Sequence, residues 1–318
     1  MPGTTLGIGL AGLGQHGIRY ARHLLAGDVP RARLVAVSRR DEAAGRAWAD
    51  SRGLRFYREL ADLAADPAVD VLVAVLPPGL HPAAVEAAAA VGKPVLVEKP
   101  LAPDADRGRA ALEVARRAGI PAMVAQTLRF NSVVRALREL VPTLGRLHLV
   151  AINQRFEPSG RPWLDDPDHG GLVLNTGVHG VDLLHHLTGG RVTRASALTR
   201  RVVTSRVEDL FAAVLVVEPG SILATLDNSR ATGGRSGRIE LCGEHGQLVA
   251  DHVHGQLGEI KGRMYRPLPV EPPVPTVREV LRAFTDAILE DRPVPVPLEE
   301  GLAAVEGVDM LRRSATPA

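Results

Sequence analysis

A glycine-rich turn near the beginning of the chain restricts the possible folds more than any other feature. The apolar run Leu6 to Ala11 predicts a strand, and an amphipathic helix to about Ala26 follows the turn. The turn reads G-x-G-x-x-G, whose glycines allow a tight turn, close approach of a pyrophosphate and close helix packing. The helix start offers free N–H groups to phosphates. We therefore expect a dinucleotide to contact Gly12, Leu13, Gly14, Gln15, His16 and Gly17. The alternative is a glycine-rich turn that binds no ligand.

The end of the second strand bears on which dinucleotide would bind. The run Arg33 to Ser38 predicts a strand that ends in Ser38-Arg39-Arg40. A fold that prefers NAD is expected to carry a carboxylate here, which accepts hydrogen bonds from the adenosine ribose. A hydroxyl and a guanidinium instead suit the 2′-phosphate of NADP. The sequence favours NADP over NAD, unless these arginines are only a solvated strand end and Arg39 stacks on adenine.

Strands and helices continue to alternate up to residue 125. Val69 to Leu76 is apolar on both faces, as a central parallel strand should be, and further strands are expected at Pro94 to Val97 and Pro121 to Ala125. This alternation predicts an α/β fold with a doubly wound parallel sheet over residues 1–125. As a lone residue, His81 is expected to cap or pack a helix. Other predicted cofactor contacts at the strand ends are Leu76, Pro77, Pro78, His81, Glu98, Lys99 and Gln126.

A charged pair, Glu98-Lys99, stands where the fifth strand should leave the sheet. Taken alone, Lys99 is either a catalytic or substrate-binding ammonium or an ordinary solvated lysine. Parallel sheets bind ligands at the carboxyl ends of their strands. Because the strand ends at Gly12, Pro77 and Glu98 should face one crevice, the functional interpretation is favoured.

From residue 126 the strict alternation is lost. A helix is expected at Ser132 to Leu140 and a strand at Leu147 to Phe156, and two helices, about Val277 to Leu289 and Leu298 to Arg312, close the chain. Residues 126–318 therefore predict a mostly antiparallel α+β domain. Its later strands are expected at Val192 to Val203, Leu210 to Val217, Ser221 to Asn228, Arg238 to Cys242 and Gln247 to Ala250.

The segment Gly170 to Gly190 carries a second set of candidate residues. If it is helical from Asn175 to Leu187, one helix face holds Asn175, His179, Asp182 and His186. A histidine on such a face could take a proton from a substrate hydroxyl. The alternatives are a polar face with internal hydrogen bonds, or a metal site. We expect no metal, because the zinc pattern H-E-x-x-H is absent.

Composition narrows the cellular setting. The chain has 318 residues, enough for two domains, and its formal charge of +2 with scattered arginines does not favour a nucleic-acid partner. The single cysteine, Cys242, excludes an internal disulfide and a CxxC metal site. No apolar run approaches the ~20 residues of a membrane span, and the start lacks the features of a signal peptide. We expect a cytoplasmic protein without a membrane partner.

The order of the motifs resembles one protein family. The motifs are the glycine turn at 12–17, PPGLH at 77–81, EKP at 98–100, QTLRF at 126–130 and GVHGVD at 177–182. This ordered set is similar to that of glucose–fructose oxidoreductase, inositol dehydrogenase and the rhizopine-catabolism oxidoreductase, over essentially the whole chain. The resemblance implies a Rossmann domain over residues 1–125, followed by an α+β domain over residues 126–318 that serves substrate binding and oligomerisation, since its open sheet forms homodimers or homotetramers.

The resemblance also implies residue roles. Lys99 would contact both the substrate hydroxyl and the cofactor, after a cis peptide to Pro100, and His179 would be the acid/base. Ser38-Arg39 is the pattern of NADP-dependent members. Two departures are Asn175, where the family carries Asp, and Leu164, where an Arg commonly follows tryptophan. Asn175 should make His179 a weaker base. Predicted substrate contacts are Lys99, Arg129, Trp163, Asn175, His179 and the loop Asp165 to His169.

These implications yield one preferred hypothesis and two rivals. The preferred one is an NADP-favouring, NAD-tolerant dehydrogenase or reductase that acts on a CH–OH group of a sugar, polyol or related small molecule. A redox-assisted NAD-dependent glycosidase is the first rival, which Arg39 argues against. The second is a non-catalytic dinucleotide-sensing regulator, which Asn175 favours and the retained Lys99 and His179 oppose.

Overall fold

This computed structural model describes residues 5–160, 162–167 and 171–318, without the side chains of Pro162 and Trp163.

Within these residues, the first of two sheets is parallel throughout. The strands run in the order β3-β2-β1-β4-β5-β6, and every pairing between neighbours is parallel. They are β1 (Leu6–Ala11), β2 (Ala32–Ser38), β3 (Arg55–Tyr57), β4 (Val71–Ala74), β5 (Val95–Glu98) and β6 (Ala122–Ala125). The predicted doubly wound sheet is confirmed. Its central strands β1, β4 and β5 are buried on both faces because helices cover both sides.

Over the described residues, the second sheet has nine strands and is mostly antiparallel, as expected. Its order is β14-β13-β12-β11-β7-β10-β9-β8-β15, and only the pairs β7/β10 and β8/β15 are parallel. The strands are β7 (Leu147–Arg155), β8 (Arg191–Arg200), β9 (Leu210–Glu218), β10 (Ile222–Ser229), β11 (Ser236–Gly243), β12 (Gly246–Asp251), β13 (Gln256–Lys261), β14 (Met264–Pro267) and β15 (Ala315–Pro317). β13, β14 and β15 were not predicted from the sequence.

Helices cover both faces of the first sheet and one face of the second. The α-helices of the described residues are α1 (Gln15–Leu25), α2 (Glu42–Asp50), α3 (Leu60–Ala65), α4 (His81–Ala90), α5 (Ala105–Ala118), α6 (Ser132–Leu140), α7 (Val178–Thr188), α8 (Thr276–Leu289) and α9 (Leu298–Ser314). Asp41, Asp104 and Asn131 cap α2, α5 and α6 by accepting backbone N–H groups. None of the helices described is long and apolar enough to cross a membrane.

One face of the second sheet carries a large apolar core. In β9, alternate residues Phe211, Ala213, Leu215 and Val217 are buried, and they join side chains of α6, α7 and the later turns of α9. The period of two along the strand and about 3.6 along the helices brings these apolar faces together.

The contacts divide the chain differently from the single boundary expected after residue 125. One unit comprises Met1–Gln126 with Pro275–Leu302, and the other comprises Thr127–Val274 with Ala303–Ala318. Residues of the α8 region belong to the first unit because they contact it directly. Arg282 Nε donates to the Asp28 carbonyl, and Arg31 Nη1 lies 2.9 Å from Asp286 Oδ1. The Val296 carbonyl accepts the N–H of Val124 in β6.

Candidate functional site

The glycine turn leaves open space at its middle glycine. Gly12 has a φ of +97°, and a Cβ added there would lie 2.2 Å from the Val75 carbonyl oxygen. A Cβ on Gly17 would lie 1.9 Å from the Gly12 carbonyl oxygen, so both positions need glycine for packing. A Cβ on Gly14 would meet nothing within 4 Å. The backbone is therefore accessible at Gly14, where the fingerprint places a pyrophosphate.

The three strand ends expected to converge do lie side by side. β1, β4 and β5 are consecutive in the sheet, and the strand order reverses between β1 and β4. Such a reversal opens a crevice at the carboxyl ends of the strands. The Val75 N–H donates to the Ala11 carbonyl at 2.8 Å, so the backbone leading to Leu76 stays beside the glycine turn. Leu76 is half-buried, Pro77 is exposed and Pro78 is buried.

Glu98 organises the end of β5. It is 4% exposed, and its Oε1 accepts the Tyr20 hydroxyl at 2.6 Å and lies 2.7 Å from His16 Nε2. Its Oε2 accepts the Lys99 N–H at 2.9 Å. Burial is the largest single influence and would raise the pKa of Glu98, but the hydrogen bond and charge of His16, the charge of Lys99 and the hydrogen bond of Tyr20 together outweigh it. The pKa of Glu98 is lowered from 4.5 to about 2. Glu98 is thus an ionised anchor for Lys99 and for the helix after the glycine turn.

Replacing Glu98 by Gln should lower the thermal unfolding midpoint at pH 7, because an amide NH₂ cannot accept the hydrogen bonds that the carboxylate accepts. A carboxyl whose pKa falls on folding stabilises the protein above its unfolded pKa and loses that contribution as pH falls through the folded pKa. The difference between the two proteins should be full above pH 4.5 and shrink toward pH 2. Scanning calorimetry across this range measures it, and a pH-independent difference would contradict the ionised anchor.

His81 supports the residue that follows Lys99. It is fully buried, and its Nδ1 donates to the Pro100 carbonyl at 2.7 Å. Burial lowers the pKa of His81, which keeps the imidazole neutral near pH 7. The Lys99–Pro100 peptide is cis, in agreement with the resemblance. His81 therefore has the packing role expected from its position, and its direct contact with a cofactor stays a prediction.

The remaining predicted cofactor residues differ in exposure. Ser38 is 4% exposed, Arg39 is half-buried and Arg40 is exposed. Gln126 is 1% exposed, and within the described residues neither its side-chain oxygen nor its nitrogen has a hydrogen-bond partner. A buried amide without a partner is costly, so Gln126 fits a position that a polar ligand completes. With the open space at Gly14, these side chains fit a dinucleotide.

In the second unit, a π-helical turn changes the geometry expected around His179. The turn spans Val173–Gly177 and precedes α7, so Asn175 and His179 do not belong to one continuous α-helix. The predicted α-helical face is wrong at its first residue, because the wider turn shifts the phase of the side chains. Asn175 is 9% exposed, and its Nδ2 donates to the Gly171 carbonyl at 2.8 Å. His179 is half-buried.

Arg129 and Asp182 form a buried ion pair. Arg129 Nε lies 2.9 Å from Asp182 Oδ2, and Arg129 Nη2 lies 2.6 Å from Asp182 Oδ1. This bidentate pair connects the 3₁₀ turn Thr127–Phe130 to α7. Asp182 therefore serves structure, and a substrate contact by Arg129 stays a prediction. Among the residues that the structure describes, no three His, Cys, Asp or Glu side chains gather as a metal site would require.

The same unit contains buried amide side chains that were not predicted from the sequence. Gln154 in β7 and Asn228 in β10 are each 1% exposed and are paired across the two strands. None of their side-chain amide atoms has a partner within the described part of the chain, and neither has His252 Nε2. Arg230, two residues after Asn228, donates to Thr176 beside Asn175. One sequence signal could have revealed them: Gln154 is polar, although it follows Val150 and Ile152 at the next core-facing position of β7.

The segment before the π-helical turn contains two predicted substrate contacts, Trp163 and the loop Asp165 to His169. Asp165 accepts hydrogen bonds from the N–H groups of Ser205, Arg206 and Val207, so it fixes a neighbouring loop. The side chain of Trp163 lies outside the described residues, and so do Asp168 and His169. Their proposed contacts with substrate stay predictions.

Comparisons with known proteins agree with this geometry. Residues 6–126 match the model of an oxidoreductase family with an NAD-binding Rossmann fold, and residues 134–249 match the GFO/IDH/MocA C-terminal domain. Inositol 2-dehydrogenase 2 of Saccharopolyspora erythraea is 31% identical over 83% of this chain and 80% of its own. D-xylose 1-dehydrogenase (NADP(+)) 2 of Haloferax volcanii is 28% identical over 95% of this chain and 96% of its own.

A solved structure shares the whole fold. The crystal structure of a probable dehydrogenase from Thermotoga maritima has a TM-score of 0.84 and 26% sequence identity, and the match covers 97% of this chain and 96% of that one. Both sheets and the helices on them therefore have a counterpart in a single known chain.

Proposed function

The chain belongs to the Gfo/Idh/MocA family of NAD(P)-dependent oxidoreductases, and on that premise we propose that it transfers a hydride between nicotinamide and a carbinol or carbonyl carbon of a sugar or polyol. The observation that carries this proposal is the anchored Lys99 next to the glycine turn. Glu98 accepts the Lys99 N–H while it also contacts His16 and Tyr20 of α1. One buried carboxylate thus links the ammonium-bearing residue to the dinucleotide fingerprint.

Lys99 and His179 have complementary roles in the proposed reaction. A bound nicotinamide supplies or accepts the hydride. In the oxidation direction, His179 accepts the proton of the substrate hydroxyl, and the Lys99 ammonium stabilises the developing alkoxide. Asn175 can hydrogen-bond the substrate but adds no negative charge beside the imidazole, so His179 is a weaker base than it would be next to Asp.

The buried amides support a substrate rich in hydroxyl groups. Gln154 and Asn228 each present a donor and an acceptor. A hydroxyl group can serve both kinds of partner, whereas an apolar substrate would leave these groups unpaired at a cost of about 1–3 kcal/mol each. The relatives whose names mention inositol and D-xylose support the same substrate class.

A substrate panel tests the proposed function. The purified protein is mixed with sugars, inositols and their keto derivatives, and the nicotinamide absorbance is followed with NADPH, NADP⁺, NADH and NAD⁺. We expect a change in absorbance with at least one polyhydroxylated substrate. Conversion of substrate without net change of the dinucleotide would contradict simple hydride transfer and favour a redox-assisted glycosidase.

The preference for NADP is proposed from the end of β2. Ser38 and Arg39 stand where a carboxylate would select NAD, and one relative has NADP(+) in its name. Replacing Arg39 by Ala should lower kcat/KM with the NADP couple by about tenfold while sparing the NAD couple, because a bidentate contact to the 2′-phosphate is lost. Arg46→Ala removes another arginine of this unit and serves as the control. Higher activity with NAD in the unmodified protein would overturn the preference.

The uncovered face of the second sheet supports a homo-oligomer. Leu149, Leu198, Val214 and Leu223 lie on neighbouring strands and are between 39% and 53% exposed. Contiguous apolar patches of this kind mark association surfaces. We propose a homodimer or homotetramer through this face. Sedimentation of the Leu198→Glu and Val214→Glu double variant should give monomers, and an unchanged mass would remove this face from the interface.

A further inference from the structure

A cavity of the second unit is lined by arginines. Its volume is about 600 Å³, and its walls include Arg200 at the end of β8, Arg201, Arg206 and Arg312 of α9. Cavities of about 300–1,000 Å³ hold small-molecule ligands. Arg200, Arg201 and Arg206 lie within seven residues of the sequence, and the fold brings Arg312 of α9 to the same cavity.

Two carboxylates, Asp209 and Asp165, hold the backbone of the loop between β8 and β9, residues 201–209. Asp209 accepts the N–H groups of Val202, Val203 and Thr204 at 2.6–2.8 Å. Asp165 accepts those of Ser205, Arg206 and Val207. Every N–H group from residue 202 to 207 is therefore bound by one of two carboxylates. These hydrogen bonds fix the loop backbone, and so they fix the Cα positions from which its arginine side chains extend.

Among the residues that the structure describes, the guanidinium groups of Arg200, Arg201 and Arg206 have no acidic partner. Within the described ranges, no carboxylate forms an ion pair with Arg200, Arg201 or Arg206; Arg201 Nη1 instead donates to the Ser205 carbonyl at 2.9 Å. Arg312 lies 3.9 Å from Asp309. The carboxylate in the cavity wall, Glu208, accepts the Val173 N–H at 2.9 Å. With four arginines and one glutamate in its walls, the cavity carries an excess of positive charge.

The cavity adjoins the segment that carries Asn175 and His179. Val173, the first residue of the π-helical turn, lines the cavity and is held by Glu208. Glu208 lies between Val207 and Asp209, so the loop that carries Arg206 is joined directly to this turn. A ligand held by the arginines would lie against the turn that begins two residues before Asn175.

We propose that Arg200, Arg201 and Arg206 bind a phosphate-bearing anion in this cavity. Guanidinium groups match phosphate oxygens in charge and in their bidentate geometry, and a fixed loop reduces the entropic cost of binding. The site does not depend on the proposed hydride transfer. Its ligand is either the phosphorylated part of a substrate or a separate phosphate compound that acts as an effector.

Calorimetric titration with inorganic pyrophosphate tests the site. The titration is made with the dinucleotide site saturated by NADPH, so that pyrophosphate cannot occupy the glycine turn. We expect binding with a dissociation constant below about 1 mM, weakened about tenfold or more in the double variant Arg200→Gln, Arg206→Gln. Arg263→Gln removes one exposed positive charge elsewhere in the same unit and should leave binding unchanged. Equal binding in the double variant, equal loss in the control, or no binding in the unmodified protein would overturn the proposal.

Kinetic measurements then distinguish the two sources of the phosphate. If the substrate carries it, a phosphorylated sugar should have a lower KM than its parent sugar, and the double variant should remove that difference. If the phosphate compound is separate, pyrophosphate should change the turnover of the unphosphorylated sugar in the unmodified protein only. Failure of the substrate panel would leave the calorimetric result intact, so the two proposals can fail separately.

Discussion

Replacing Lys99 by Ala should leave dinucleotide binding nearly unchanged and lower turnover by about a hundredfold or more. The Lys99 backbone is held by Glu98 through its N–H group, so loss of the side chain leaves that anchor in place. What is lost is the ammonium that we propose stabilises the alkoxide. Calorimetric titration with NADPH and steady-state assays on the substrate found in the panel measure the two effects.

Lys261→Ala is the matched control for this variant. Lys261 is exposed and pairs with Glu259 in the second sheet, so its removal should change neither dinucleotide affinity nor turnover. Comparable turnover in the Lys99 variant and in the unmodified protein would remove Lys99 from the mechanism. A large loss of dinucleotide affinity would instead assign Lys99 to cofactor binding alone.

Replacing Asp182 by Ala should cost the protein about 3–5 kcal/mol of stability. The Arg129 side chain is 9% exposed and the Asp182 side chain 2% exposed, so the variant would bury a guanidinium whose bidentate acceptor is gone. Removal of one partner from a buried ion pair costs the protein more stability than the intact pair contributes. The thermal unfolding midpoint, followed by circular dichroism, should fall by at least about 6 °C.

Asp106→Ala supplies the comparison. Asp106 lies 3.0 Å from Arg109 on α5, but its side chain is 93% exposed, and removal of such a pair changes stability little. Equal shifts in the two variants would mean that burial does not strengthen the Arg129–Asp182 contact. Restored stability in the double variant Arg129→Met, Asp182→Leu would show that the cost came from the unpaired charge.

The first sheet was predictable from local patterns. Val69 to Leu76 and Pro94 to Val97 are short apolar runs bounded by prolines or charged residues, and such runs are typical of strands buried on both faces. The glycine turn could be recognised because its three glycines lie within six residues and each meets a different steric requirement. Glu98 was identified as a strand-end residue, but the sequence does not reveal that it contacts both His16 and Tyr20, since these contacts span about 80 positions.

The second unit was harder to predict because its features depend on distant contacts. β14 is exposed at every residue, so no alternation of apolar and polar side chains distinguishes it from a loop. The π-helical turn before α7 has no simple sequence signal. The ion pair between Arg129 and Asp182 joins residues 53 positions apart, and either residue taken alone suits a substrate site equally well.

The return of α8 to the first unit has a consequence for the order in which the protein can fold during synthesis. Residues 275–302 complete a unit that begins at the amino terminus, and 148 residues of the other unit, 127–274, are made in between. The surface of α1 and β6 that receives this later segment stays uncovered until then. Nascent chains released before residue 302 should therefore expose apolar surface and need chaperones. For the same reason, a fragment of residues 1–125 should aggregate rather than fold.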